Sequence, residues 1–381
     1  MESSTKKIWG ISIFNGMTKM LTMSVMFFWA IFYNSVGLSG AQIGMIFATS
    51  SITGLISVLP SGFINDKIKS RNLISFALLM LATQFIGISF FDNFTAIISF
   101  AFIGGIGNYL YIISSESIFY KSAGEQNKTK EIAIFQSILY FLMGTSIASS
   151  GYMMSLDIPF QKIILGGGVF FIILSAIAQL LPKSAIGNST FVEYKKDILD
   201  KKVLLLLAFA FLFSMHYGSE NTSYGLFLKE TLGLNQSLVG LYMGSAIFIM
   251  GIFSIIAANS LKKIDSKYLL FISLLLSGIG QILMTNSTPI ISYIFRVIHE
   301  IGDAGMFVFL AHGILSFFKS ERIGGNNGIL NFVIIIGSAL SNIISGPIGE
   351  KFGYDTSLII GGIMVLAALV VGMVSKKIIS E

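Results

Sequence analysis

The sequence predicts an all-α integral membrane protein with twelve transmembrane helices in two pseudo-symmetric bundles of six. Three observations predict it. Of the 381 residues, 54% are hydrophobic and only 12% charged, and the mean hydropathy is +0.81; soluble domains carry about 25% charged residues. The apolar residues fall in long continuous runs rather than alternating, which favours spanning helices of about 20 residues over a barrel. Lys and Arg concentrate in every second connection. Such a composition excludes a water-soluble domain and a disordered chain. The lack of cysteine excludes disulfide scaffolds, zinc–cysteine sites and thiol catalysis. The net charge of +6 reads as loop lysines on the cytoplasmic side rather than as a nucleic-acid surface. No nucleic-acid partner, cofactor or metal centre is expected.

The elements follow in order. A first run, 8–33, carries Asn15 and Lys19 on one face. It is too long for a cleaved signal peptide and no small-residue cleavage site follows it. The second, 41–65, opens after Gly37 and ends in the loop GFINDKIKSR. The third, 72–91, runs to Asp92–Asn93. The fourth, 95–120, holds Gly104, Gly105 and Gly107, small residues suited to close helix packing. The fifth, 131–154, and the sixth, 162–182, complete a first bundle over 1–182. The polar stretch 183–201 follows as a cytoplasmic linker, where Thr190 with Glu193 reads as a capping box for a short surface helix. The second bundle, 202–381, holds runs at 202–229, 236–260, 267–286, 289–318, 325–347 and 357–376.

Orientation follows from the basic residues. With the N-terminus inside, cytoplasmic stretches hold 20 of the 25 Lys and Arg, and outside loops only Lys162, Lys229 and Lys351. Both termini are therefore expected in the cytoplasm of a cell-membrane protein. The halves also read as a repeat. Gly37–Arg71 aligns without gaps to Gly233–Lys267, with seven of 35 positions identical and helix, loop and basic cluster in register. Repeated bundles around a mid-membrane site are a transporter architecture.

The loop after the second run, with Gly62, Asp66, Lys67 and Arg71, resembles the signature loop of the major facilitator superfamily. Lys69 and Ser70 depart from the usual glycine and arginine. Helix count, central linker and half-repeat extend the resemblance over the whole chain. It implies that Asp66 faces the cytoplasmic start of the eleventh helix, near Asn326 and Asn327, and that the basic residues pair with Glu116 near the inner end of the fourth. A helix N-terminus favours a nearby carboxylate. In register with Asp66, the second half has Lys262, so the inner gate is expected to be asymmetric.

Ionisable residues within spans are costly and mark function by default. Arg296, His299, Glu300 and Asp303 stand at i, i+3, i+4 and i+7 of the tenth run, on one helix face. The spacing pairs Arg296 with Glu300 and His299 with Asp303. A carboxylate beside histidine and arginine can take up and release a proton. Some proton-coupled sugar symporters of the superfamily similarly carry His and Glu about one turn apart on this helix. The seventh run adds His216 and Glu220 one turn apart, followed by Asn221, Thr222 and Tyr224. By resemblance, the first, fourth, seventh and tenth helices line the cavity. Glu220, Glu300, Asp303, His216, His299 and Arg296 are therefore the candidate proton-coupling set. Asn15, Lys19, Asn108, Tyr109, Gln136, Tyr140, Asn221 and Tyr224 are the candidate substrate contacts. Gly62, Asp66, Lys67, Arg71 and Glu116 form the candidate gate. The antiporter pattern of the fifth helix is missing from MGTSIASSGYMM, and no nucleotide-binding motif is present.

The expected function is proton-coupled secondary transport of a small organic solute by alternating access, not enzymatic catalysis. The expected partners are the solute, protons and the lipid bilayer, with a single copy sufficing. A multidrug/proton exporter and a lipid flippase using the same cavity are the alternatives.

Overall fold

The structure is a computed structural model describing residues 2–26, 29–38, 40–124, 127–154, 156, 158–184, 186–187 and 191–374. Every regular element among them is helical. The first six predicted runs correspond to α1 (Glu2–Met26) with α2 (Trp29–Ser35), α3 (Gly40–Lys67), α4 (Ser70–Phe90), α5 (Phe94–Ser122), α6 (Lys128–Met154) and α7 (Phe160–Ile177). A surface helix, α8 (Phe191–Ile198), lies in the linker. Its expected cap, Thr190, lies outside the described residues, as do Lys376 and Lys377.

The seventh run is not one regular helix. It is built as α9 (Lys201–Ser214), a single turn α10 (His216–Ser219) and two π-helical turns, Glu220–Tyr224 and Phe227–Thr231. Wide turns of this kind re-aim side chains and often mark functional sites. The remaining runs are α11 (Gln236–Ser260), α12 (Ser266–Leu283), α13 (Pro289–Phe317), α14 (Ile323–Phe352) and α15 (Tyr354–Val374). Ten of the described helical stretches are long and apolar enough to cross a membrane. α13, with its 29 residues, carries four buried ionisable residues, Arg296, His299, Glu300 and Asp303.

Local chemistry sets the helix starts. Asn93, Asp200, Asn235 and Asp265 each accept a backbone N–H from the first turn of α5, α9, α11 and α12, filling donors that a helix start leaves open. Gly37 and Gly233, the equivalent positions of the repeat, both have positive φ, +86° and +66°. Only glycine adopts that conformation without steric cost.

Contacts group the chain into two compact units. One comprises 1–123, 152–194 and 318–332; the other comprises 124–151, 195–317 and 333–381. In the first, α5 packs on α3 and α4, and α7 packs on α4. Trp29 meets the edges of Phe85 and Phe160, and Phe85 meets Phe171 at 5.0 Å. Gly107 of α5 lies so close to α4 that a Cβ would fall 3.0 Å from the Ala77 carbonyl oxygen. In the second unit, α12 packs on α13 and α15, and α11 on α13. There α6 and α11 cross at Gly144 and Gly244, where a Cβ on Gly144 would stand 2.5 Å from the Gly244 oxygen and 2.6 Å from the Phe248 nitrogen.

Candidate functional site

The second unit buries an ionic cluster between the α10 region and α13. Arg296 stands at its centre. Its Nη2 donates to Glu300 Oε1 at 2.6 Å, one turn along α13, and its Nη1 donates to Glu220 Oε1 on the π-helical turn. The Tyr224 ring lies 4.6 Å from the guanidinium carbon, a cation–π contact. One guanidinium thus serves two carboxylates and one ring.

His299 and Asp303 extend the cluster along α13. His299 Nε2 is 3.0 Å from Glu220 Oε1 and 3.5 Å from Asp303 Oδ2. His216, arriving from α10, places its Nε2 3.3 Å from the same Asp303 oxygen. The two imidazoles meet edge to face, with centroids 5.3 Å apart. Asp303 Oδ1 accepts from Ser277 Oγ of α12 at 2.7 Å. Both histidines are fully buried, and Arg296, Glu300 and Asp303 are at most 4% exposed; Glu220 is half-buried.

Glycines permit this convergence. A Cβ on Gly302 would stand 2.6 Å from the Ser273 oxygen and 2.7 Å from Ser277 Cα, and one on Gly280 would stand 2.7 Å from His299 Cα. Helices α12 and α13 therefore touch backbone to backbone, which brings Ser277 to both His299 and Asp303. Charge counting makes the cluster unusual. Three carboxylates face one guanidinium, so with neutral imidazoles it is two positive charges short. Buried like charges at these distances are costly without compensation.

In the first unit, Asp66 is 1% exposed and closes onto the start of α14. Its two oxygens accept from the backbone of Gly324 at 3.0 Å and Gly325 at 2.7 Å. Tyr194 of α8 donates to it at 2.9 Å, and Lys121 pairs with it at 3.0 Å. The positive end of the helix and an ammonium thus share one carboxylate. Gly62 lets α3 and α14 approach: a Cβ there would fall 2.8 Å from the Gly324 oxygen. Two expectations need correction. α14 starts at Ile323, after a 3-10 turn over Ser320–Arg322, three residues before Asn326. The loop bases also do not meet Glu116: Lys67 is exposed, and Arg71 donates to the Gln179 carbonyl at 3.0 Å. Glu116 instead accepts from Asn327 at 2.9 Å and Asn331 at 3.0 Å, with Lys19 as its electrostatic neighbour.

The candidate substrate contacts are divided between the units. In the first, Asn15 accepts from Tyr111 at 2.9 Å, Tyr109 lies against Gly54, and Lys19 and Asn108 are half-buried. In the second, Gln136 is buried, Tyr140 packs with Met250 and Ala304, and Asn221 is exposed. Tyr224 directs its ring face to Arg296. Sequence reading did not single out Ser277, Tyr194 or Lys121; nothing in local spacing marks a residue whose partner lies on another helix.

The family model of the Major Facilitator Superfamily matches residues 8–258 and 206–377. The uncharacterized MFS-type transporter YxaM of Bacillus subtilis (strain 168) is 26% identical over 382 residues, covering 92% of this chain and 91% of YxaM. YhjO, another uncharacterized MFS-type transporter of that strain, is 23% identical over 237 residues, covering 60% of this chain and 57% of YhjO, so the chain spans little more than half of that relative. Among solved structures, the transporter FucP in its outward conformation superposes with a TM-score of 0.76 at 11% identity, covering 97% of each chain. The proton:xylose symporter XylE gives 0.74 at 14% identity, covering 96% of this chain and 94% of XylE. The human organic anion transporter MFSD10 gives 0.72 at 12%, covering 96% and 99%. At such identities the superpositions establish the fold alone.

Proposed function

This chain belongs to the major facilitator superfamily, and we propose that it carries a small organic solute across the membrane by alternating access, driven by protons. It is a multi-pass membrane carrier of the secondary-active type, not an enzyme. The proton reading goes further, and the buried charge count carries it. A cluster of Arg296, Glu220, Glu300, Asp303, His216 and His299 that lacks two positive charges has a built-in demand for cations. Sodium is a poor answer to that demand, because hard ions prefer all-oxygen shells and two of the groups offered are imidazoles. A proton needs no shell and enters where side chains stand 3.0–3.5 Å apart. A cation drives transport only if it binds two conformations unequally. The π-helical turn that carries Glu220 is the element suited to moving relative to α13.

In this reading Asp66, with Gly62 and Lys121, holds the cytoplasmic gate shut by capping α14, and Glu116 does the same one turn further along through Asn327 and Asn331. Asn15, Lys19, Asn108, Tyr109, Gln136 and Tyr140 contact the solute. The halves 1–182 and 202–381 are the repeating bodies, both termini are cytoplasmic, and one copy suffices.

The test begins with a solute. Thermal stabilisation of the purified protein across a metabolite library identifies it, and its flux is then followed in proteoliposomes with and without an imposed pH gradient. Wild-type protein accumulates the solute down the proton gradient. Glu300→Gln and Asp303→Asn keep exchange but lose accumulation. Flux indifferent to the gradient, or undiminished accumulation in both variants, overturns the proton reading. Lipid scrambling without solute flux would make the protein a flippase.

A further inference from the structure

We propose that His216, His299 and Asp303 form a binding site for a first-row divalent transition ion of the zinc class. The ion would supply, in one body, the two positive charges that the cluster lacks. His216 Nε2, His299 Nε2 and a carboxylate oxygen of Asp303 all lie within 4.8 Å of one another. Asp303 Oδ2 stands 3.3 Å from one nitrogen and 3.5 Å from the other. Two ligands held at 2.0–2.1 Å by a tetrahedral zinc ion are about 3.3 Å apart. The two oxygen–nitrogen separations are therefore already those of ligands around one ion, and the two nitrogens lie within 4.8 Å of each other.

Each ligand is also oriented from behind. His299 Nδ1 lies 2.9 Å from the Ser277 carbonyl oxygen, and His216 Nδ1 lies 2.5 Å from that of Phe213. A carbonyl only accepts, so each Nδ1 carries a proton, and each Nε2 is the inward-facing nitrogen left for a metal ion or a second proton. Ser277 Oγ donates to Asp303 Oδ1, which leaves Oδ2 for the histidines. Metal-binding imidazoles and carboxylates are typically held in this way by an outer layer of hydrogen bonds.

The second nitrogens supply an independent observation. Both Nε2 atoms are buried and neither makes a hydrogen bond of proper geometry; what they face is carboxylate oxygen. An Nε2 without a proton sets its lone pair against carboxylate, which is unfavourable until a metal ion or a second proton stands between them. Two imidazoles and one carboxylate suit zinc, copper, nickel or iron rather than magnesium or calcium. Three protein ligands leave a fourth position for water, with Glu220 Oε1 beside it, 3.0 Å from His299 Nε2. The chain has no cysteine and only three histidines, so no second imidazole pair competes.

The site does not depend on what the carrier moves, and binding tests it without any transport assay. Chelator-treated, tag-free protein in detergent is titrated with zinc sulfate by calorimetry and by thermal unfolding. One zinc ion binds per chain and raises the unfolding temperature. Binding is lost in His216→Gln and His299→Gln and unchanged in His312→Gln. Ser277→Ala weakens it by about 10-fold, the usual cost of removing an outer-layer partner. Zinc-edge X-ray absorption of the wild-type complex shows two imidazoles, a result independent of whether any variant folds. No saturable binding, binding that survives loss of either histidine, or a zinc shell without two imidazoles overturns the proposal. If zinc fails to bind while a pH gradient drives flux, the metal site is wrong and the proton reading stands.

Discussion

Replacing Asp66 by asparagine removes one negative charge from four partners at once. The backbone N–H groups of Gly324 and Gly325, the Tyr194 hydroxyl and the Lys121 ammonium all converge on it between 2.7 and 3.0 Å. Asparagine keeps one acceptor oxygen but turns an NH2 group toward at least one of these donors. Breaking a buried ion pair on one side costs about 3–5 kcal/mol. The hydrogen bonds to the charge overlap with that figure rather than add to it, so about 3–4 kcal/mol is the working value. Each 1.4 kcal/mol is tenfold in an equilibrium, so separation of α14 from α3 becomes roughly 10²–10³ times more frequent. The natural lack of cysteine makes this measurable. Ser61, beside Gly62 and 4% exposed, is changed to cysteine in both backgrounds. Its alkylation by a membrane-impermeant maleimide is then timed in inside-out vesicles. The rate rises by two to three orders of magnitude with Asp66→Asn. A change of less than about threefold in a folded protein would refute the reasoning, because the carboxylate would then not be holding α14 to α3.

Three further outcomes are expected. Arg296→Met leaves Glu220 and Glu300 buried without their shared partner and destabilises the protein by about 3–5 kcal/mol; adding Glu220→Gln and Glu300→Gln recovers part of the loss, read as unfolding temperature. Gly144→Leu forces a side chain into the backbone of α11 at Gly244 and Phe248, costing about 1–3 kcal/mol or more by overpacking, whereas the same change at Gly225, with nothing within 4 Å of its Cβ, is nearly silent in the same melt. Asp265→Ala removes the N-cap of α12 for about 1 kcal/mol. The Lys267 backbone N–H holds the Asp265 carboxyl below its ordinary pKa, so this contribution is present above about pH 4 and lost as pH falls through the lowered value. The stabilities of wild type and variant therefore converge in acid.

What could be read from the sequence was local. Long apolar runs located the helices, and i, i+4 spacing paired Arg296 with Glu300 and His299 with Asp303, because one helix carries both members. The resemblance of the loop at Gly62–Arg71 brought Asp66 to the start of α14, but it misjudged the bases: Arg71 reaches Gln179, and Lys121, from a different helix, takes the ion pair. Cross-helix partners were invisible for the same reason. Nothing in the spacing relates Arg296 to Glu220, Tyr224 to Arg296, or Ser277 to Asp303. The last of these exists because Gly280 and Gly302 let α12 and α13 touch, and a glycine does not announce which neighbour it admits. The broken course of the seventh span was hidden too, since wide and ordinary helical turns share one apolar composition.

The residues between α7 and α9 do more than join two helices. Gly187 N donates to the Asp66 carbonyl at 2.7 Å, the Ser184 hydroxyl accepts from Ser70 N at 2.8 Å, and Tyr194 closes on the Asp66 carboxylate. Ser184, Gly187 and Tyr194 are thus each fixed to the α3–α4 corner that carries Asp66. Fixing backbone costs about 1–2 kcal/mol of entropy per residue at room temperature, and letting go returns it. If Asp66 gates the carrier as proposed, its closure is an enthalpic lock on an entropic spring. Warming favours its release, so the temperature dependence of turnover would carry the stiffness of this connector alongside the chemistry of the cluster.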